Sequence, residues 1–324
     1  MPIRPLVAAL AAAAAAVAPL AQGQAQSWPV KPIRLIVPWP TGGGADTLSR
    51  LLQPKMQELF GQQVIIVNRG GAAGNIGAEM GAKAPPDGYT MTFAYSGTHA
   101  VNPSIYAKMP FRDTDFAPII RLSSVPQILV VHPSLPAKTA KDVIALAKAR
   151  PGQLTFGSSG SGAINHLAGE YFRLMSNTSM VHVPYKGGGP AAISLIGGEI
   201  IMIFAEPATI VGHVKSGKVR ALGATSEKRA LAMPDLPTVA ESGLPGYEVT
   251  SWNGMMFPAK IPDEILRRAN GIFNQIITAP DMRAKMIEYG YEPTGGTPDA
   301  FAEHIRGEIV KWAKVVKAAG MKVD

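Results

Sequence analysis

Short β-branched runs alternate along this chain with stretches whose apolar residues recur at helical spacing. Ile33 to Val37, Val64 to Val67, Met91 to Tyr95, Ile128 to Val131, Leu154 to Phe156, Val181 to Val183, Ile200 to Phe204 and Val219 to Ala224 predict strands. Between them, Leu48, Leu51, Leu52, Leu59 and Phe60 share one helical face, and Ile164, Leu167, Ala168, Tyr171, Phe172 and Met175 share another. Such alternation predicts α/β layers with largely parallel sheets. Arg121 to Pro126 reads as a crossing that opens a fresh βα series at Gln127. Pro234 to Tyr247, rich in Pro and Gly, reads as the return crossing into a strand over Thr250 to Phe257, and Pro262 to Asp324 is mainly helical. The expected organisation is therefore one α/β domain from residues 26–126 and 248–324 and a second from residues 127–247. Two connections make a hinge, and a hinge makes a cleft.

The pattern fails in the first twenty-odd residues. Arg4 gives a short positive head, Leu6 to Leu20 is an alanine-dominated apolar stretch, and Ala21 to Ser27 is small and polar. That order is a secretory signal peptide, placed here over residues 1–25, and it predicts export. Alanine is too weakly apolar for a convincing span of this length. The absence of Cys excludes disulfides, thiol catalysis and thiolate metal sites. Lys and Arg outnumber Asp and Glu by 31 to 23, a formal charge of +8. The positive residues are scattered and only 7% of the chain is aromatic, which argues against nucleic acid and for a small acidic ligand.

Candidate chemistry lies where predicted strands end. Trp39, Pro40, Thr41, Gly42 and Gly43 follow the first strand and lead through Gly44 into a helix. Such a turn can aim several backbone N–H groups at one anion, and the helix N-terminus adds partial positive charge. Asp46 reads as first-turn support for that helix rather than a ligand contact. Gly71, Ala72, Ala73, Gly74 and Asn75 follow the second strand, and Gly77 continues the every-third-residue spacing. Taken alone, this is a turn with tight helix packing; beside the first loop it becomes a second half of the cradle. Ser96, Gly97 and Thr98 end the third strand. In the middle domain, Ser158, Ser159 and Ser161 sit in a Gly/Ser loop ahead of Asn165 and His166, with one serine expected to cap the helix. Tyr185 to Pro190 opens a further helix, Pro190 suiting its first position.

Other chemistries fit poorly. Gly71 to Gly77 lacks the dinucleotide spacing, and Gly212 to Val219 misses the P-loop because Val219 stands in place of Ser/Thr and a strand follows. No nucleophile elbow surrounds the serines, and the six histidines show no metal spacing. His166 reads as a packing or ligand-orienting histidine in preference to a base for Ser159 or Ser161. No cofactor or metal is expected.

In order along the chain, Pro38 to Asp46, Asn68 to Gly77, Ala82 to Thr90, Gly157 to Leu167, Pro184 to Gly187 and Leu236 to Tyr247 resemble the Bug family of tripartite tricarboxylate transporter receptors. The resemblance runs from about Trp28 to the C-terminus. It implies a type II-like periplasmic binding fold, with two α/β domains closing on a carboxylate, and a periplasmic location. It implies that the first two glycine loops hold a ligand carboxylate and that Ser96 to Thr98 and Ser158 to Ser161, with neighbours His166 and Tyr185, oppose them. The family usually carries Asp where Ile201 and Ala205 stand. With Ala205 there, the expected ligand is a non-amino di- or polycarboxylate, aromatic acids included, although Glu206 could partly substitute for the missing acid. Expected partners are a small organic acid and the membrane subunits of a tripartite transporter or a sensor protein, with no nucleic acid and a monomeric receptor. The alternatives are a sensory receptor with the same cleft and a Ser/His hydrolase using the serine loop.

Overall fold

The computed structural model describes residues 28–185 and 187–321. The signal-peptide reading of residues 1–25 lies outside them, as does Lys186. The chain first forms β1 (Ile33–Val37), α1 (Gly44–Phe60), β2 (Val64–Asn68), α2 (Asn75–Ala82), β3 (Thr90–Tyr95), α3 (Asn102–Ile105) and β4 (Phe116–Pro126). It continues as β5 (Ile128–Val131), α4 (Ala140–Ala149), β6 (Thr155–Ser158), α5 (Ile164–Ser176), β7 (Val181–Pro184), α6 (Gly188–Ile196), β8 (Met202–Ala205), α7 (Pro207–Lys215) and β9 (Arg220–Ala224). It ends with β10 (Thr250–Pro258), α8 (Asp263–Thr278), α9 (Pro280–Glu288), β11 (Glu292–Pro293) and α10 (Pro298–Ala319). Among the described residues no helix is long and apolar enough to cross a membrane.

Two sheets result, in the orders β11-β4-β10-β3-β1-β2 and β7-β6-β8-β5-β9. They are mixed, which corrects the expectation of largely parallel sheets. The βα units pair in parallel, β1 with β2 and β3, and β6 with β7 and β8. By contrast β10 runs antiparallel to β3 and β4, and β5 runs antiparallel to β8 and β9. These reversed strands are the first to enter each sheet after a crossing. No crossover helix precedes them, so nothing imposes the parallel sense of a βαβ unit.

Arg121 to Pro126 is not a loose crossing but the second half of β4, an eleven-residue strand paired with β10 along its length. The crossing itself shrinks to Gln127. There Thr225 ties both connections together. The Gln127 N–H donates to Thr225 Oγ1 at 2.8 Å, and the Thr225 N–H donates back to the Gln127 carbonyl at 2.8 Å. The Val249 N–H donates to the Thr225 carbonyl at 2.8 Å, while Thr225 Oγ1 donates to the Val249 carbonyl.

Behind the first sheet, Leu48, Leu52, Met56, Phe273 and Ile276 close a core against β1, β3 and β4. A second cluster is continuous across both sheets: Trp252, Phe301, Ile305 and Trp312 join Phe156, Phe172, Phe204 and Tyr247. Its bridge is α10, whose buried residues Phe301, Ile305, Glu308, Trp312 and Val315 fall three or four apart on one face. Trp312 meets Tyr171 of α5 edge-on at 6.4 Å between centroids. The apolar seam thus lies on one side of the crossings, leaving the strand-end loops facing each other on the other.

Candidate functional site

Because β1 pairs in parallel with both β2 and β3, their carboxyl-end loops emerge side by side. In the first loop Gly42 adopts φ +84°, a conformation that disfavours any side chain. Its N–H donates to Asp46 Oδ2 at 2.8 Å. Asp46, almost fully buried, also accepts from Arg50 Nε at 3.0 Å and Asn68 Nδ2 at 3.1 Å, and Asn68 donates to the Trp39 carbonyl. Burial pushes the Asp46 carboxyl up, but these donors outweigh it and hold the pKa below the ordinary value. Asp46 is a strut fastening the first loop to the end of β2, as its first-turn position implies.

The second loop turns through Ala72 at φ +46° and Ala73 at φ +52°, both left-handed without being glycine. Strain of this kind persists only where the surroundings over-determine it. Here Thr98 Oγ1 and Asn102 Nδ2 both donate to the Ala73 carbonyl, at 2.9 and 3.1 Å, and Asn102 also donates to Asn75 Oδ1 at 2.7 Å.

The second sheet supplies the opposing wall. No serine caps α5; its N-cap is Ala163. Instead Asn165 Oδ1 accepts from both the N–H and the hydroxyl of Ser159, and His166 Nδ1 accepts the Gly162 N–H at 3.1 Å. His166 stacks on His182 at 3.7 Å between centroids, and burial, then His182 and Arg173, push its pKa down to about 3. With Nδ1 accepting the Gly162 N–H, that nitrogen is not free to take a proton from Ser159 or Ser161. In α6, Pro190 occupies the third helical position rather than the first.

Between these walls lies a chamber of about 510 Å3. Trp39, Ala73, Tyr95, Gly97 and Tyr106 line it from one sheet's loops; Ser159, Ser161, the first residues of α5 and α6, Ala205 and Glu206 line it from the other. A second chamber of about 400 Å3 adjoins it, lined by Pro40, Gly43, Gly44, Ser251, Asn253 and Tyr291. Trp39, Tyr95 and Glu206 border both, with the Trp39 and Tyr95 rings edge-to-face at 5.7 Å. Burial and then Glu206 push the Tyr291 phenol up to about 12. Among the described lining residues there is no Lys, Arg or His. Helices α1, α5 and α6 begin at these walls, and their first-turn N–H groups, at Gly44, Ala45, Ile164, Asn165, Gly188 and Gly189, have no carbonyl to bond in their own helices.

Of the residues singled out in the sequence, Trp39, Pro40, Gly43, Gly44, Ala73, Gly97, Ser159, Ser161, Asn165, Ala205 and Glu206 reach a chamber wall. The rest do not. Thr41, Gly42, Gly71, Ala72 and Gly74 shape the turns, and Asn75, Ser96 and Thr98 are buried beneath them. The Ser158 hydroxyl lies 2.6 Å from His182 Nε2 and donates to the Gly160 carbonyl. The Tyr185 hydroxyl pairs with Ser194, which donates to Glu199. Asn102, Tyr106, Gln127, Thr209 and Tyr291 line the chambers without having carried a sequence motif.

Residues 48–321 match the model of the tripartite tricarboxylate transporter family receptor. BugT of Bordetella pertussis is 34% identical over 92% of this chain and 92% of its own. Rpa4515 of R. palustris, solved with adipate, is 37% identical with a TM-score of 0.77, covering 91% of this chain and 99% of that one. MatC of Rhodopseudomonas palustris, solved with bound malate, is 28% identical with a TM-score of 0.72, covering 89% and 99%. With the fold matched along nearly its whole length and the family model spanning most of it, the chain belongs to the tripartite tricarboxylate transporter receptor family.

Proposed function

We propose that this protein is a periplasmic receptor whose two lobes, residues 26–126 with 248–324 and residues 127–247, close on a small organic carboxylate and present the closed form to the membrane subunits of a tripartite transporter. The observation that carries this reading is the larger chamber, about 510 Å3, whose wall includes the first residues of α5 and α6 and, among its described lining residues, no lysine, arginine or histidine. Backbone donors aimed into a cleft bind a carboxylate without a counter-charge. The volume suits an acid of several carbons. Adipate and malate in the solved relatives support a dicarboxylate without an amino group, as does Ala205 on the wall in place of an acid.

The protein binds its acid and does not transform it. Ser158 pairs with His182 but is fully buried and off the chamber wall, while the Ser159 hydroxyl, on the wall, donates to Asn165 Oδ1 and to no histidine. Equilibrium dialysis of the exported, processed protein against aliphatic and aromatic carboxylates should retain a subset, and each retained acid and its ester should be recovered unchanged by mass spectrometry. Ser159→Ala should retain the same acids. Hydrolysis of a bound ester that disappears in Ser159→Ala would sink the receptor reading in favour of an enzyme.

A further inference from the structure

Apart from the Thr225–Val249 pair at the crossings, one hydrogen bond among the described residues joins the two lobes: the Leu231 N–H donates to Glu292 Oε1 at 2.6 Å. Each end is fixed within its own lobe. Glu292 opens β11 and pairs with Ser124 of β4. The Tyr291 N–H before it donates to the Met286 carbonyl at 2.8 Å, and the Thr294 N–H after it donates to the Leu122 carbonyl at 3.1 Å. Leu231 follows the fully buried Ala230 in a turn that the Met233 N–H closes on the Ala230 carbonyl at 2.9 Å. Neither partner can follow the other when the lobes part, so opening the cleft breaks this bond. Ser124 precedes Gln127 by three residues, which sets the bond off from the crossing by about 10 Å along β4, outside the pivot.

The residues just before Glu292 wall the second chamber. Tyr289, Gly290 and Tyr291 line it, and the Tyr291 hydroxyl donates to the Gly44 carbonyl of the first cradle loop at 2.9 Å. A methyl group placed on Gly290 would stand 3.9 Å from Ala208 Cβ at the start of α7. Residues 289–292 thus form a strap from the first lobe that meets the cradle on one side and the second lobe on the other. Glu292 itself lines neither chamber. It has no contact to offer a guest there; what it can change is how long the lobes stay shut.

We infer that Glu292 is a positioning residue for capture: its carboxylate, accepting the Leu231 N–H across the lobes, latches the closed form and sets the lifetime of the bound acid. This rests on the two-lobed receptor reading and adds to it a residue outside both chambers. An ionised acceptor makes a stronger hydrogen bond than a neutral one. A contact made only after the lobes meet acts on release more than on encounter.

The test is stopped-flow tryptophan fluorescence, Trp39 bordering both chambers, with adipate, malate and any other acid that equilibrium dialysis retains. Glu292→Met should release the acid about tenfold faster, the factor lost with a hydrogen bond to a charged group, while association stays within about threefold. Glu292→Gln keeps a neutral acceptor and should fall between. Leu231→Pro deletes the donor N–H at the second position of its turn, where proline is favoured, and should release as fast as Glu292→Met. The double variant should be no faster than either single one, since both remove the same bond. Urea midpoints should stay at the wild-type value. Release unchanged in Glu292→Met, association slowed as much as release quickens, or additive effects in the double variant would each overturn the latch. A second readout needs no ligand. The chain has no cysteine, so spin labels on Gln63→Cys and Lys218→Cys, exposed positions on the first and second lobes, report the lobe separation alone. Glu292→Met should add a separation that the labelled parent lacks, and an unchanged distribution would overturn the inference. Binding of no carboxylate would instead defeat the receptor reading and leave the label distances to decide the latch.

Discussion

One methyl group added at Gly77 is expected to disable the ligand site from beneath. A Cβ there would stand 2.5 Å from the Arg69 carbonyl oxygen and 2.7 Å from Pro38 Cα. Both are backbone atoms at the ends of the strands that carry the two cradle loops, so neither can rotate away. The second loop must lift off the first, taking Ala73 away from the chamber wall. Gly77→Ala should lose about 1–3 kcal/mol of stability, the usual cost of overpacking. Ligand affinity should fall by about tenfold or more, since a displaced loop forfeits at least one hydrogen bond to a charged group. Urea unfolding should show a lower midpoint at unchanged slope. A variant with wild-type midpoint and wild-type affinity would mean the two loops are not braced against each other at Gly77.

Lys311→Met is expected to have the larger effect on stability, at a place far from the chambers in function if not in space. Lys311 Nζ lies 2.8 Å from Glu248 and 2.7 Å from Glu308, while Glu308 also accepts from Trp312 Nε1 at 2.8 Å. Glu308 sits within the apolar stripe of α10, and Glu248 lies one residue before Val249 of the return crossing. Removing the ammonium leaves two carboxylates without their cation, a loss of about 3 kcal/mol; this is the low end for breaking a buried pair, because Glu248 keeps some contact with water. The pH dependence carries a sign. Burial pushes Glu248 up, but Lys311 outweighs it and holds the folded pKa below its ordinary 4.5. A depressed carboxyl contributes stability that is present above 4.5 and is lost as pH falls through the folded value. The wild type should therefore weaken on acidification below about pH 4.5, and the variant should lose less over the same window. Parallel acid-side curves for the two proteins would contradict this ion-pair account.

The strand-end loops were legible because their signals are local. Glycines directly after β-branched runs mark turns wherever the chain goes next, and the spacing of Leu48, Leu52 and Phe60 marks the helix that follows. The strand β4 was not legible. Pro118, Arg121, Ser123, Ser124 and Pro126 interrupt its alternation, and it is a strand because β10, more than a hundred residues on, pairs along it. Side-chain commitments were equally hidden. Ser158 and His166 look like site residues in a polar glycine loop, but His182 and the Gly162 N–H claim them. Conversely Gln127 reads only as the start of the second βα series, and Tyr291 carries no motif. Only the crossing geometry brings the first into the chamber, and only the return of the C-terminal part brings the second, whose hydroxyl donates to the Gly44 carbonyl at 2.9 Å.

Capture of a carboxylate by backbone donors in the cleft is tested most directly by thermal unfolding of the protein without residues 1–25, with organic acids and their neutral amide counterparts. A ligand at one hundred times its Kd adds about 2.7 kcal/mol. That corresponds to a rise in Tm on the order of 5 °C for a chain of this size. The account predicts such a rise for at least one carboxylate and none for its amide. No shift with any carboxylate, or an equal shift with the amide, would contradict it.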